Sequence, residues 1–228
     1  MYWENLVFDA AAPHEHGVFW EELLRGETLS DNSGGFETRL VFSDERYLDL
    51  CFPTVEETSG SHQRFFPIVI ESAHEDYMKS VSYTGSRKKL QDVAGRDYFV
   101  LKPGDGSGQF RLAAVEIHSA HPQRDAEFWS NVTGLSATAK APNILAHPGG
   151  DGPQLVIVQE AHQKTTEKSC VHLDLRLGAE DDLNLILEQI RVGGGQELER
   201  GWGTLPWRVF EDPSGNEFCI LPYIAPTE

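Results

Sequence analysis

The stretch from Val171 to Tyr223 constrains the fold of this chain more than any other. It begins VHLDLRL, with Val171, Leu173, Leu175 and Leu177 on one face and His172, Asp174 and Arg176 on the other. Strict alternation over that length predicts a half-buried strand. Glu180, Asp181 and Asp182 follow, and carboxylates suit the positive end of a helix dipole. Leu183, Leu187 and Ile190 recur at helical spacing until Gly193-Gly194-Gly195 stops the helix. Strands through Trp207–Phe210 and Glu217–Leu221 then flank the turn Asp212-Pro213-Ser214-Gly215-Asn216, whose Pro and Gly supply fixed and permissive φ. The order is strand, helix, then antiparallel strands.

The two halves of the chain also repeat one another. Leu6–Phe8 leads past Pro13 to Phe19-Trp20, and Val115–His118 leads past Pro122 to Phe128-Trp129, with the same gap between proline and aromatic pair. A strand, a proline-marked helix start and an aromatic pair, repeated in register, point to internal duplication. Between the repeats, Phe36–Val41 and Arg46–Phe52 read as strands paired about Ser43-Asp44-Glu45. Arg64–Glu71 reads as a buried strand, Ala73–Tyr83 as a helix and Tyr98–Lys102 as a strand. The glycine-rich Pro103–Gly108 lacks the Lys-Ser/Thr of a phosphate cradle and is read as a hairpin turn, the counterpart of Asp212–Asn216.

HLDLRL followed by a helix and then DPSGNEFCIL resembles the glyoxalase/bleomycin-resistance/dioxygenase group, the vicinal oxygen chelate superfamily. It is most similar to the glyoxalase-like branch with HLDL and DPxGNEFC motifs, and VQEAHQKTTEKSCVHLDL upstream, with Gln159 ending a strand, fits that branch. The resemblance implies an α+β fold of tandem βαβββ modules that curl in pairs around a cleft. Four modules would form two glyoxalase-like domains, a degenerate one over residues 1–112 and a second over 113–228.

Metal-dependent members of the superfamily use side chains from the first and last strand of each module, and His and Glu suit first-row divalent ions. By that resemblance His172 holds a first-strand position, its counterpart in the third module is Ala114, and Cys219 stands where family enzymes carry Glu. Glu217 shares the face of Cys219, and Gln154–Gln159 has no carboxylate. The expectation is no bound cofactor, with a divalent metal on a set rearranged around Glu116, His118 or Glu217 as the alternative. In the first half the matching positions are Asn5, Asp49, Phe66 and Arg111. A buried carboxylate needs a cation and guanidinium fits it with two parallel hydrogen bonds. An Asp49–Arg111 ion pair packed beside Phe66 is therefore expected to fill the vestigial position. His14 and His16 are read as an exposed helix start.

The remaining candidates each have two readings. His172 is an acid/base group, since imidazole titrates near neutrality, or part of a polar ladder with Asp174 and Arg176. Cys219 is a nucleophile if a neighbouring cation lowers its pKa, or an inert buried thiol. Trp202 and Trp207 stack on a flat ligand or pack in the core. Glu116, His118, Gln159 and Glu217 complete the candidate ligand-binding set.

Composition excludes more than it selects. Acidic residues outnumber basic ones by 36 to 19, for a net charge of −17, a field that repels nucleic acid and anionic membranes. No apolar run reaches the roughly 20 residues of a membrane span, and MYWENLVFDA lacks the basic and apolar regions of a secretory signal. Three cysteines without a CxxC pair suit a reducing cytoplasm. The sequence thus predicts a cytoplasmic monomer or homodimer whose partner is a small organic, aromatic or otherwise flat molecule. The alternative is a lyase, isomerase or dioxygenase of the same superfamily, and a third reading gives the duplicated domains a role in assembly alone.

Overall fold

The computed structural model describes residues 1–228 apart from 45, 57–61, 75–80, 82, 84, 103, 140, 200, 202 and 226–228. The alternating segments become sheet. The first module is β1 (Tyr2–Phe8), α1 (Pro13–Leu24), β2 (Glu27–Asn32), β3 (Gly35–Ser43) and β4 (Arg46–Pro53). The second contributes β5 (Phe65–Glu71), β6 (Arg87–Gln91) and β7 (Asp97–Leu101); most of the helix expected over Ala73–Tyr83 lies outside the described residues. The third is β8 (Phe110–Ser119), α2 (Pro122–Thr133), β9 (Ser136–Thr138), β10 (Ala141–Ala146) and β11 (Gln154–Gln159). The fourth is β12 (Val171–Arg176), α3 (Leu183–Val192), β13 (Gln196–Glu197), β14 (Arg208–Glu211) and β15 (Glu217–Leu221). The architecture is mixed α+β, built of repeated modules.

Within each module the last strand runs parallel to the first: β4 with β1, β7 with β5, β11 with β8 and β15 with β12. Modules then join through antiparallel first strands, β1 to β12 and β5 to β8. One sheet therefore has the order β13-β14-β15-β12-β1-β4-β3-β2 and the other β6-β7-β5-β8-β11-β10-β9. The first module shares its sheet with the fourth, and the second with the third. β8 runs unbroken through residues 112 and 113, so the expected domain boundary falls inside a strand.

Local chemistry sets the helix ends. α1 and α2 both open on proline, whose missing N–H costs nothing there. α2 closes on Gly134 at φ 72°, and Asp182 caps α3 by accepting the Asn184 and Leu185 N–H groups. α1 packs on β3 and β4 and reaches β8 of the other sheet, while α2 packs on β10 and β11 and reaches β1. These two helices thus lie between the sheets. The alternation of β1, β4 and β12 sends Leu6, Phe8, Leu48, Leu50, Phe52, Leu173 and Leu175 into the core and the intervening polar residues to the opposite face.

Trp20 and Trp129, both fully buried, carry the helices across. Trp20 Nε1 donates to Asp92 Oδ2 at 3.1 Å, and Trp129 Nε1 to Asp212 Oδ2 at 3.0 Å. Asp92 and Asp212 open equivalent turns. Oδ1 of Asp92 accepts the Ala94 and Arg96 N–H groups, and Oδ1 of Asp212 accepts those of Ser214 and Asn216. Gly95 and Gly215 hold φ at 75° and 81°, where a Cβ is disfavoured. The counterpart of Asp212–Asn216 is therefore Asp92–Arg96 and not Pro103–Gly108. An aspartate accepting two backbone donors defines the turn, and glycine content does not. A second correction concerns His16, expected to be exposed. It is 1 % exposed, with Nε2 2.6 Å from Asp92 Oδ2, because it lies on the α1 face that meets the turn; His14 is exposed.

Candidate ligand cavity

The polar faces of β4, β1, β12 and β15 floor a cavity of ≈ 790 Å³ in the sheet shared by the first and fourth modules. His172, Asp174, Arg176, Trp207, Glu217 and Cys219 all line it. Trp207 is 38 % exposed at the rim, and Val7, Phe36, Phe52, Val209 and Leu221 supply apolar walls. Trp202 lies outside the described residues. Glu116, His118 and Gln159 belong to the other sheet. Among them, burial pushes the Glu116 carboxyl up, but hydrogen bonds from His118 and Arg87 outweigh it and hold it below its usual value. Gln159 bonds the Ala120 carbonyl at 3.2 Å.

Most charges around the cavity are already paired. Arg176 Nε donates to Glu4 Oε2 at 2.6 Å, Lys168 Nζ to Asp9 at 2.7 Å, and Lys164 Nζ to Glu217 at 3.2 Å. The expected Asp49–Arg111 pair is corrected by the topology. Asp49 on β4 receives a bidentate bond from Arg39, Nε to Oδ1 and Nη2 to Oδ2, both at 2.8 Å. Arg111 lies on β8 in the other sheet, with Nε on the Ser72 carbonyl. Phe66 stands apart from both, its ring 4.5 Å from that of His118. The error came from assuming that each half of the chain closes its own cleft. The β3–β4 hairpin register places Arg39 opposite Asp49, and counting back from the Ser43-Asp44 turn would have found it.

At the centre, His172 and Asp174 on β12 and Cys219 on β15 bring one ligand atom each within 4.8 Å of one another. Parallel pairing places Asp174 beside Cys219. Asp174 Oδ2 accepts from Asn5 Nδ2 at 3.4 Å. Its Oδ1 is buried without a hydrogen-bond partner, as is Nδ1 of His172. His172 Nε2 lies 3.4 Å from that Oδ1 but is not aligned for a hydrogen bond. Burial, then the charge of Asp174, then a hydrogen bond to it push the Cys219 thiol well above its usual value. A thiol so held is inert at neutral pH. Nitrogen, oxygen and sulfur donors at this spacing fit a borderline divalent ion in type, provided the ion displaces the Cys219 proton. The first-module side of the site, Asn5, Val7, Asp9 and Cys51, carries no local motif pointing to the fourth module.

The fold matches what is similar to this chain. Residues 114–221 match the family described as "Glyoxalase-like domain". Glyoxalase I from Zea mays superposes with a TM-score of 0.60 at 14% identity, covering 97% of this chain and 92% of its own. A candidate dioxygenase from Bacillus subtilis subsp. subtilis str. 168 gives 0.59 at 13% identity, covering 97% and 85%. The cppA protein of Streptococcus pneumoniae TIGR4 gives 0.50 at 10% identity, covering 98% and 100%. No curated protein matches the chain in sequence. Residues 114–221 form a glyoxalase-like domain, and the chain as a whole has the fold of glyoxalase I. Among the described residues no helix is long and apolar enough to cross a membrane.

Proposed function

We propose that this protein binds a small, flat organic molecule in the cavity of the β1–β12 sheet. The observation that carries the reading is the cavity itself: ≈ 790 Å³, within the size range of small-molecule sites, with apolar walls and few convergent polar groups. Trp207 at the rim offers a face for stacking. His172 lines the floor and offers a hydrogen-bonding ring there. The protein works in this reading as a cytoplasmic monomer or homodimer with no nucleic-acid partner.

The test is a melting-shift screen of indole-, naphthalene- and quinoline-sized compounds, followed by calorimetry on the strongest binder. His172→Ala and Trp207→Ala should each weaken it by about 1–3 kcal/mol. Unchanged affinity in both variants would move the site elsewhere.

The spacing of His172, Asp174 and Cys219 favours an enzymatic second reading, a lyase, isomerase or dioxygenase of the superfamily. A divalent ion held by these three side chains would act as a Lewis acid on a bound oxygen. His172 would otherwise serve as the acid/base group. Metal analysis of protein purified without chelator separates the readings, since a stoichiometric ion lost in His172→Ala favours the second.

A further inference from the structure

Among the described residues, each lysine and arginine on the cavity lining is occupied by a carboxylate of the protein. Arg176 is held by Glu4 and Lys168 by Asp9. Just behind the floor, Lys164 holds Glu217 and Arg39 holds Asp49. Two lining carboxylates have no cationic partner among these pairs. Glu37 is exposed at the rim and accepts from the Ser30 hydroxyl at 3.2 Å. Asp174 is 9 % exposed at the floor, and its Oδ1 has no hydrogen bond at all.

An ionised carboxylate taken from water without a full set of donors is costly. The donors that Asp174 does have are weak ones, an amide at 3.4 Å and a thiol. The 3.4 Å contact of His172 with Oδ1 is misaligned. The Asp174 side chain stays 13 % exposed where it lines the cavity, so a donor brought in by a ligand meets a carboxylate short of strong partners and makes a charge-assisted hydrogen bond. An anionic ligand would instead face Asp174, and among the described residues no lining lysine or arginine is free to receive it.

We infer that the bound molecule is an organic cation, an apolar or aromatic body carrying an ammonium or amidinium group that pairs with the Asp174 carboxylate. The inference rests on the ligand-binding reading of this cavity and adds the chemistry of the ligand. It sets the orientation as well, with the charged head on β12 and the flat body toward Trp207. The His172 ring, 3.4 Å from Asp174, then lies beside the head.

The test uses three probes that share one ring system: 2-naphthylmethylammonium, 2-naphthylmethanol and 2-naphthoate. Calorimetry is run on the whole protein with chelator present, at two salt concentrations so that the general field of the −17 chain is screened. The ammonium should bind at least about tenfold more tightly than the alcohol, which is about 1.4 kcal/mol, and the carboxylate most weakly. Asp174→Asn should erase that preference and leave the alcohol's affinity intact. Glu37→Gln should preserve it. Trp207→Ala should weaken all three probes alike.

Equal binding of ammonium and alcohol would overturn the cation inference while leaving ligand binding in place. So would a preference that survives Asp174→Asn. Failure of every probe to bind would count against both. A stoichiometric metal on Asp174 in unchelated protein would also overturn it. Melting curves of Asp174→Asn, which should be no less stable than the parent, guard against a folding artefact.

Discussion

Trp129 donates its indole N–H to Asp212 across the space between the two sheets, at 3.0 Å. The aspartate is fully enclosed, and burial pushes its carboxyl up from 3.8 to about 6. The folded protein thus binds a proton between those values that the unfolded chain releases. Stability from this group is present below about pH 4 and lost as pH rises through 6. The shift corresponds to about 3 kcal/mol. Urea unfolding of the parent and of Asp212→Asn across pH 4–7 should show their difference changing by that order. A flat difference would mean that Asp212 titrates normally.

Asp49 depends on Arg39. Arg39→Met removes both 2.8 Å bonds and leaves a carboxylate that is 7 % exposed. A loss of about 1.5–3 kcal/mol is expected from charged hydrogen bonds of this kind. Restoration of stability by Asp49→Asn in the Arg39→Met background would confirm the coupling. Equal losses in single and double variants would refute it.

The three cysteines should resist modification. Burial pushes the Cys51, Cys170 and Cys219 thiols up, so little nucleophilic thiolate forms at neutral pH. Ellman's reagent should titrate well under one thiol in minutes in native protein and all three in urea. Rapid loss of one native thiol that is absent in Cys219→Ser would reopen a catalytic role for that residue.

Alanine normally outperforms glycine inside a helix by about 1 kcal/mol. Gly17 in α1 should reverse that order. A Cβ there would stand 2.1 Å from Phe36 Cδ1, and Phe36 is buried on β3. Forcing the ring aside should cost Gly17→Ala about 1–3 kcal/mol, read as a lower melting temperature. A gain would show that the ring has room to move.

The alternation of Val171–Leu177 and the Asp212–Asn216 turn made the fourth module legible from sequence, along with the family. The shared face of His172 and Asp174 followed from period-two geometry, and the place of Cys219 beside it from the family resemblance. The partner module did not. Local pattern specifies which face of β1 is polar, but not that β12 rather than β5 will lie against it. That one pairing decides where Asn5, Asp9 and Lys168 sit, and it is why Asp49 and Arg111 were joined in error. Asp92–Arg96 was missed for a different cause, since Val93-Ala94 looks nothing like Pro213-Ser214 although the backbone accepts both.

The sheet that joins the first module to the fourth also sets a timetable. β4 ends at Pro53 and β12 begins at Val171, so residues 54–170 must leave the ribosome before β1 can meet its neighbour. At about 5–20 residues per second, the newborn first module waits on the order of 10 s with one strand edge bare. Such an edge invites pairing with other chains. A nascent chain stalled at residue 160 should therefore bind a chaperone through β1, and one released after Leu221 should not.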